Sequence, residues 1–150
     1  MRISIRARYA LRASLALAKL GNNDTLVSIN TLSEAEGISP VFLEQIFFKM
    51  RNAGILHSVR GPGGGFAFSR PLDHLTVKDI LEAAGEDFTL TNCDKSLEGC
   101  DRVGTCISHT VWQGAHAVVY NYLGSLTIAA LLEKHTSQSK GRSRSRKSES

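Results

Sequence analysis

The chain has 150 residues, 42% of them hydrophobic, enough for one domain with a real core and an additional helix that packs on a partner. Residues 1–8 carry charge and no unbroken apolar stretch, and no later segment is long and apolar enough to span a bilayer, so the expected setting is cytoplasmic, with no membrane partner. The formal net charge of +4 hides a segregation: residues 1–72 hold nine Lys or Arg against four acids, residues 73–134 hold four against nine, and residues 135–150 hold five against one. A basic first part suits a polyanion, although a solvated charged face is the blander explanation.

Tyr9 to Leu20, rich in Ala and Leu, predicts a first helix that stops at Gly21. Ser28 to Glu36 predicts a second, with Ile29, Leu32 and Ala35 recurring every third residue before Gly37. Ser39-Pro40 supplies a hydroxyl cap and a proline at the first helical position, which predicts a third helix over Pro40–Ala53 closed by Gly54. On it Leu43, Ile46, Phe47 and Met50 form the stripe expected to be buried, and Val41, Glu44, Gln45, Phe48 and Asn52 lie opposite. Two helices across a short glycine-containing turn form a helix-turn-helix pattern, with the third helix entering the major groove. There Gln45 would contact adenine in bidentate fashion and Glu44 would accept from cytosine N4. An ordinary helical hairpin with solvated polar residues is the alternative.

Ile55–Arg60 and Phe66–Ser69 are short β-prone runs joined by Gly61-Pro62-Gly63-Gly64-Gly65, which predicts a hairpin. A strand follows the glycines and Gly-Lys-Ser/Thr is absent, so a nucleotide-cradling loop is not expected. After a recognition helix the hairpin is a wing, whose Arg60 could enter a narrow minor groove; a simple surface hairpin is the alternative. The DNA-facing set is therefore expected to be Ser39, Val41, Glu44, Gln45, Lys49, Arg60, Gly61, Gly63 and Gly64.

Past Pro71, a further helix is expected over Thr76–Ala84, capped by Thr76 and stopped by Gly85. A weakly periodic segment follows, and helix returns from Ile107 to Leu123, where Val111, Ala115, Val118 and Tyr122 make an apolar stripe widened by Trp112, Val119 and Leu123. This stripe predicts a homodimer, which suits a palindromic operator on double-stranded DNA; packing against the first helix is the alternative. The expected division is a winged helix-turn-helix domain over 1–85, a cysteine loop over 86–106, a dimerisation helix and short terminal helix over 107–134, and a disordered basic Ser/Arg tail over 135–150. The fold class is mainly α with a small β-hairpin wing.

The three cysteines, with no secretion signal, point to metal or redox thiols rather than disulfides. Cys93, Cys100, Cys106 and His109 follow the pattern C-x6-C-x5-C-x2-H, the last two one helical turn apart. Thiolates with an imidazole suit an iron–sulfur cluster or zinc, and the lack of a close cysteine pair favours the cluster. Unliganded thiols acting as a redox switch are a further alternative. A Cys106–His109 dyad lacks an orienting third group and an oxyanion hole, so no enzyme is expected.

The opening MRIS-I-R-ARYALRA, the segment GISPVFLEQIFFKMRNAGIL, the loop RGPGGGF and the cysteine segment ending in CISH resemble the Rrf2 family of bacterial transcription regulators over residues 1–134. The CISH ending resembles the branch of that family that controls iron–sulfur cluster assembly. The resemblance implies a [2Fe–2S] cluster on Cys93, Cys100, Cys106 and His109, with [4Fe–4S] as the alternative. It implies Glu44 and Gln45 as base readers, Arg60 as a wing contact, and a homodimer built on the long C-terminal helix. The first cysteine gap is six residues, where this branch and the nitric-oxide-sensing branch usually have five. The latter takes an N-terminal Asp as fourth ligand, and Arg8 stands at that position here. The implied function is a DNA-binding transcriptional regulator, mostly repressing, that senses cluster supply, iron or redox state. A nitric-oxide- or iron-responsive member with another cluster, or a zinc- or thiol-switched regulator, is the alternative.

Overall fold

The computed structural model describes residues 2–21, 25–91, 93, 100–102 and 104–145, the last eight as backbone only. The elements run α1 (Ile5–Gly21), α2 (Ile29–Glu36), α3 (Pro40–Asn52), β1 (Leu56–Val59), β2 (Gly65–Phe68), α4 (Val77–Ala83), α5 (Ile107–Ser125) and α6 (Ile128–Ser145).

α1 starts four residues earlier than its Ala/Leu pattern predicts. The Ser4 hydroxyl accepts from the Ala7 amide at 3.1 Å, and the Glu86 carboxylate accepts from the Ser4 amide at 3.3 Å, so the cap is fixed by a residue far along the chain. Ala7, Ala10, Ala13 and Leu17 form its buried side; small side chains let the backbones of neighbouring elements approach closely. Across the turn, Gly37 at φ 64° is the left-handed cap of α2 and its amide donates to the Ser33 carbonyl. Ser39 caps α3 by accepting from the Phe42 amide at 3.2 Å. The stripe read from the sequence is the one that is buried: Leu43, Ile46, Phe47 and Met50 have no exposed surface. Phe47 meets Phe66 edge to face at 5.1 Å and so ties the recognition helix to the wing. Full burial of such a ring is worth about 1.5–3 kcal/mol.

The wing is antiparallel, with Leu56 opposite Phe68 and Val59 opposite Gly65. Val27 pairs with Phe66 on its other side, with amide–carbonyl distances of 3.0 and 2.9 Å. This third backbone rung anchors the hairpin to the chain leading into α2.

α4 opens with a capping box: the Thr76 hydroxyl accepts from the Asp79 amide, and the Asp79 carboxylate accepts from the Thr76 amide at 2.9 Å. Burial raises the Asp79 carboxyl, but the Thr76 amide and hydroxyl, then the charges of Arg70 and Lys78, outweigh it and leave the group below its ordinary value. A depressed carboxylate stabilises the fold above its unfolded pKa and loses that contribution as pH falls through the folded value. Asp79→Asn should therefore lower the Tm near neutral pH by an amount matching roughly 1 kcal/mol of capping. The gap to the parent should close as the carboxylate of the parent protonates, and thermal melts over an acid pH series check this.

The C-terminal end returns to the first core. α6 does not lie apart from the first domain: Ile128 is fully buried in the same cluster as Leu17, Phe47 and Ile80, and its amide donates to the Leu75 carbonyl at 2.9 Å. The Thr76–Thr127 bridge and the Val77 amide on the Leu126 carbonyl complete the return. The helix also continues through Ser145, into the stretch expected to be a disordered tail. Residues 135–145 contain no proline, and a helix already nucleated on a packed first turn needs only propagation. Residues 146–150 lie outside the described residues.

Candidate nucleic-acid interface

Ser39, Val41, Glu44, Gln45 and Lys49 of the α3 region, and Arg60 and Gly61 of the wing, are all exposed. Val41, Glu44, Gln45, Lys49 and Arg60 border two grooves. One, about 550 Å³, is lined by Arg6, Val41, Glu44, Gln45, Phe48 and Lys49. The other, about 410 Å³, lies between α3 and the wing, where Glu44, Phe48 and Arg51 face Ser58, Val59 and Arg60. The structure thus gathers the predicted base readers and Arg60 along one surface. Two members of the set do more local work. The Ser39 hydroxyl is engaged as the α3 cap. Lys49 extends towards the end of α4, where a methyl on Gly85 would come within 3.2 Å of its Nζ.

The wing glycines divide in the same way. Gly61 (φ 96°) and Gly63 (φ 73°) hold left-handed backbone with open space beside them, which suits a slim loop tip. Gly64 is enforced from within, because a Cβ there would collide with the Val59 and Gly61 carbonyls.

Sequence reasoning gave no role to Arg6 or Arg51. Arg6 falls in α1 only because that helix begins at Ile5, and the early cluster Arg2, Arg6, Arg8 was the available signal. Arg51 donates from Nη1 to the Ser58 hydroxyl at 3.1 Å and stacks its guanidinium over the Phe48 ring at 5.4 Å, linking α3 to β1.

Of the cysteine segment, Cys93, Cys100 and Cys106 are half-buried free thiols. Cys106 is the N-cap residue of α5 without a side-chain capping bond. The Ser108 hydroxyl at 3.0 Å, followed by the His109 amide, holds its thiol below the ordinary value. Cys93 Sγ lies 3.0 Å from the Thr91 hydroxyl. One turn into α5, His109 is buried, and its Nδ1 has no hydrogen-bond partner among the described residues. Among the described residues no three His, Cys, Asp or Glu side chains converge closely enough to hold a metal ion. Cys106 and His109 stand one turn apart at the start of α5. In kind, three thiols and an imidazole with a vacant buried nitrogen fit an iron–sulfur cluster.

Phe88, where the segment leaves α4, is buried with Ala7, Val77 and Leu81. Its ring meets Tyr120 of α5 edge to face at 6.2 Å, and Lys78 Nζ lies over that tyrosine at 4.4 Å. α5 turns this side inward and leaves Ile107 (88% exposed), Val118 (70%) and Tyr122 (61%) bare, along with Val111 and Trp112. α5 rests on α4, in a cluster that also takes in Ala7 and Leu11 of α1. No helix among the described residues is long and apolar enough to cross a membrane.

A helix-turn-helix followed by a wing defines a winged-helix DNA-binding transcriptional regulator. The chain belongs to the Rrf2 family, described as iron-dependent transcriptional regulators, whose pattern it matches over residues 3–134. It is 35% identical over 132 residues to the HTH-type transcriptional regulator IscR of Yersinia pseudotuberculosis, covering 88% of this chain and 79% of that one. Among solved structures it resembles T. potens IscR, with a TM-score of 0.72 at 25% identity over 90% of this chain and 88% of the other. It also resembles CymR, the global cysteine regulator of B. subtilis, with a TM-score of 0.73 at 25% identity over 89% and 98% of the two chains. These relatives are regulators, and so is this chain; it is not an enzyme.

Proposed function

We propose that this regulator acts in the cytoplasm as a homodimeric repressor on a palindromic operator and carries a [2Fe–2S] cluster on Cys93, Cys100, Cys106 and His109. The observation that carries the cluster is His109. A buried imidazole nitrogen is costly unless a ligand or bound group satisfies it, and this one, a turn beyond Cys106, has no partner among the described residues. The iron dependence in the family description supports the same choice. A cluster bound there supplies a state that responds to iron supply and to oxidation.

The chain's own residues give that state a route to DNA. Cys106 and His109 fix the far end of the cysteine segment on α5, and Phe88 fixes the near end between α1, α4 and Tyr120. Glu86, two residues earlier, holds the Ser4 cap of α1, and Arg6 in the first turn of α1 lines the groove beside Glu44. Ordering or loosening the segment therefore biases the start of α1 and the setting of α5, and a preference of DNA for one arrangement is the coupling.

Glu44 and Gln45 read base edges, and Arg60 contacts the backbone or minor groove from the wing. Glu44→Ala should change which sequences are preferred, by about 1–3 kcal/mol at the contacted position. Arg60→Ala should instead weaken binding across sequences and make the slope of log K against log salt shallower by about one. Titration of both variants on selected and scrambled duplexes separates the two roles. Unchanged affinity and preference in both variants would refute this placement.

A further inference from the structure

α3 points two large apolar side chains outward on its polar face: Val41 is 65% exposed and Phe48 54%. The core does not lack apolar material at this helix, since Leu43, Ile46, Phe47 and Met50 already fill it. Scattered exposed apolar residues are ordinary, but Phe48 is held in place. The Arg51 guanidinium lies over its ring, and the same arginine is hydrogen-bonded to Ser58 on β1. The ring forms the ridge between the two grooves and lines both of them.

We propose that Phe48, with Val41 as a second apolar contact, selects thymine by covering its 5-methyl group in the major groove. The inference rests on α3 being the groove-entering helix. Among base-edge features of the major groove that methyl is the apolar one, and it is what an aromatic ring between Glu44, Gln45 and a basic wing would meet. Phe48 follows Glu44 by four residues and Gln45 by three, so it shares their face one turn, about 5.4 Å, further along. Base steps are about 3.4 Å, which places the thymine one or two steps from the base pair that Glu44 reads. The excess of nine basic over four acidic residues in 1–72 favours DNA over a protein as the occupant of this surface.

The test uses the full chain and duplexes recovered from random DNA by repeated selection. Each thymine is then replaced singly by uracil, which removes only the methyl. For the parent protein, one or two positions per half-site should each lose about fourfold in affinity, the value of one buried CH₂-sized group. Phe48→Ala should bind the thymine and uracil duplexes equally at those positions, and Phe48→Leu should keep part of the discrimination. Uracil-insensitive binding by the parent at every position would overturn the proposal, as would an undiminished loss in Phe48→Ala. If selection returns no preferred sequence, the base-reading role of α3 fails first, and this inference with it.

Discussion

Val118→Glu combined with Tyr122→Glu should convert the protein to a monomer and lower its affinity for a palindromic operator by about a hundredfold or more. Both residues lie on the bare face of α5, at 70% and 61% exposure, while Tyr120 and Leu123 of the same helix pack against Val77 and Leu81. The substitutions therefore leave the intramolecular side intact. On the bare side they would put carboxylates into an apolar contact, where an unpaired charge is strongly unfavourable. Joining two half-site readers makes the second contact intramolecular, and its loss forfeits a factor of about 10²–10⁴. Sedimentation velocity and operator titration on the same preparations would check both parts. A double variant that sediments and binds as the parent does would show that α5 is not the interface.

Cys106→Ser should lose essentially all bound iron and sulfide, because a hydroxyl is a poor substitute for a soft thiolate. Serine is itself a favoured N-cap residue and can keep the contact with the Ser108 hydroxyl, so helix content should persist. His109→Ala should behave differently. It removes an imidazole from a buried position and leaves three thiols, so the cluster should still assemble but with an altered visible spectrum and faster loss. Parallel anaerobic preparations, compared by absorption spectrum and iron content, give the readout. Equal iron in Cys106→Ser and the parent would remove that thiol from the ligand set, and an unchanged His109→Ala spectrum would remove the imidazole.

The DNA-binding half was legible in the sequence because its signals are local. Gly37, Ser39 and Pro40 mark the turn and the start of α3, and the 3.6-residue spacing of Leu43, Ile46, Phe47 and Met50 identifies the face that goes inward. Contacts distant in sequence were not legible. Nothing near Ser4 announces Glu86, nothing near Val27 announces Phe66, and Ile128 gives no sign that it completes the core begun by α1. α5 shows a subtler limit: it is apolar on two sides. The stripe Val111, Val118 and Tyr122 was plain in the sequence, but Leu123, read there as widening it, packs with Tyr120 on the inner side, and only the packed neighbours decide between the two sides. For the cysteine segment, ligand types could be read off, whereas the burial of His109 and its vacant nitrogen required three dimensions.

Iron and acid-labile sulfide, counted per chain on full-length protein purified without oxygen, test the central claim most directly. Equimolar iron and sulfide in a reddish-brown protein is the predicted result. A colourless protein with stoichiometric zinc and no sulfide would contradict an iron–sulfur regulator.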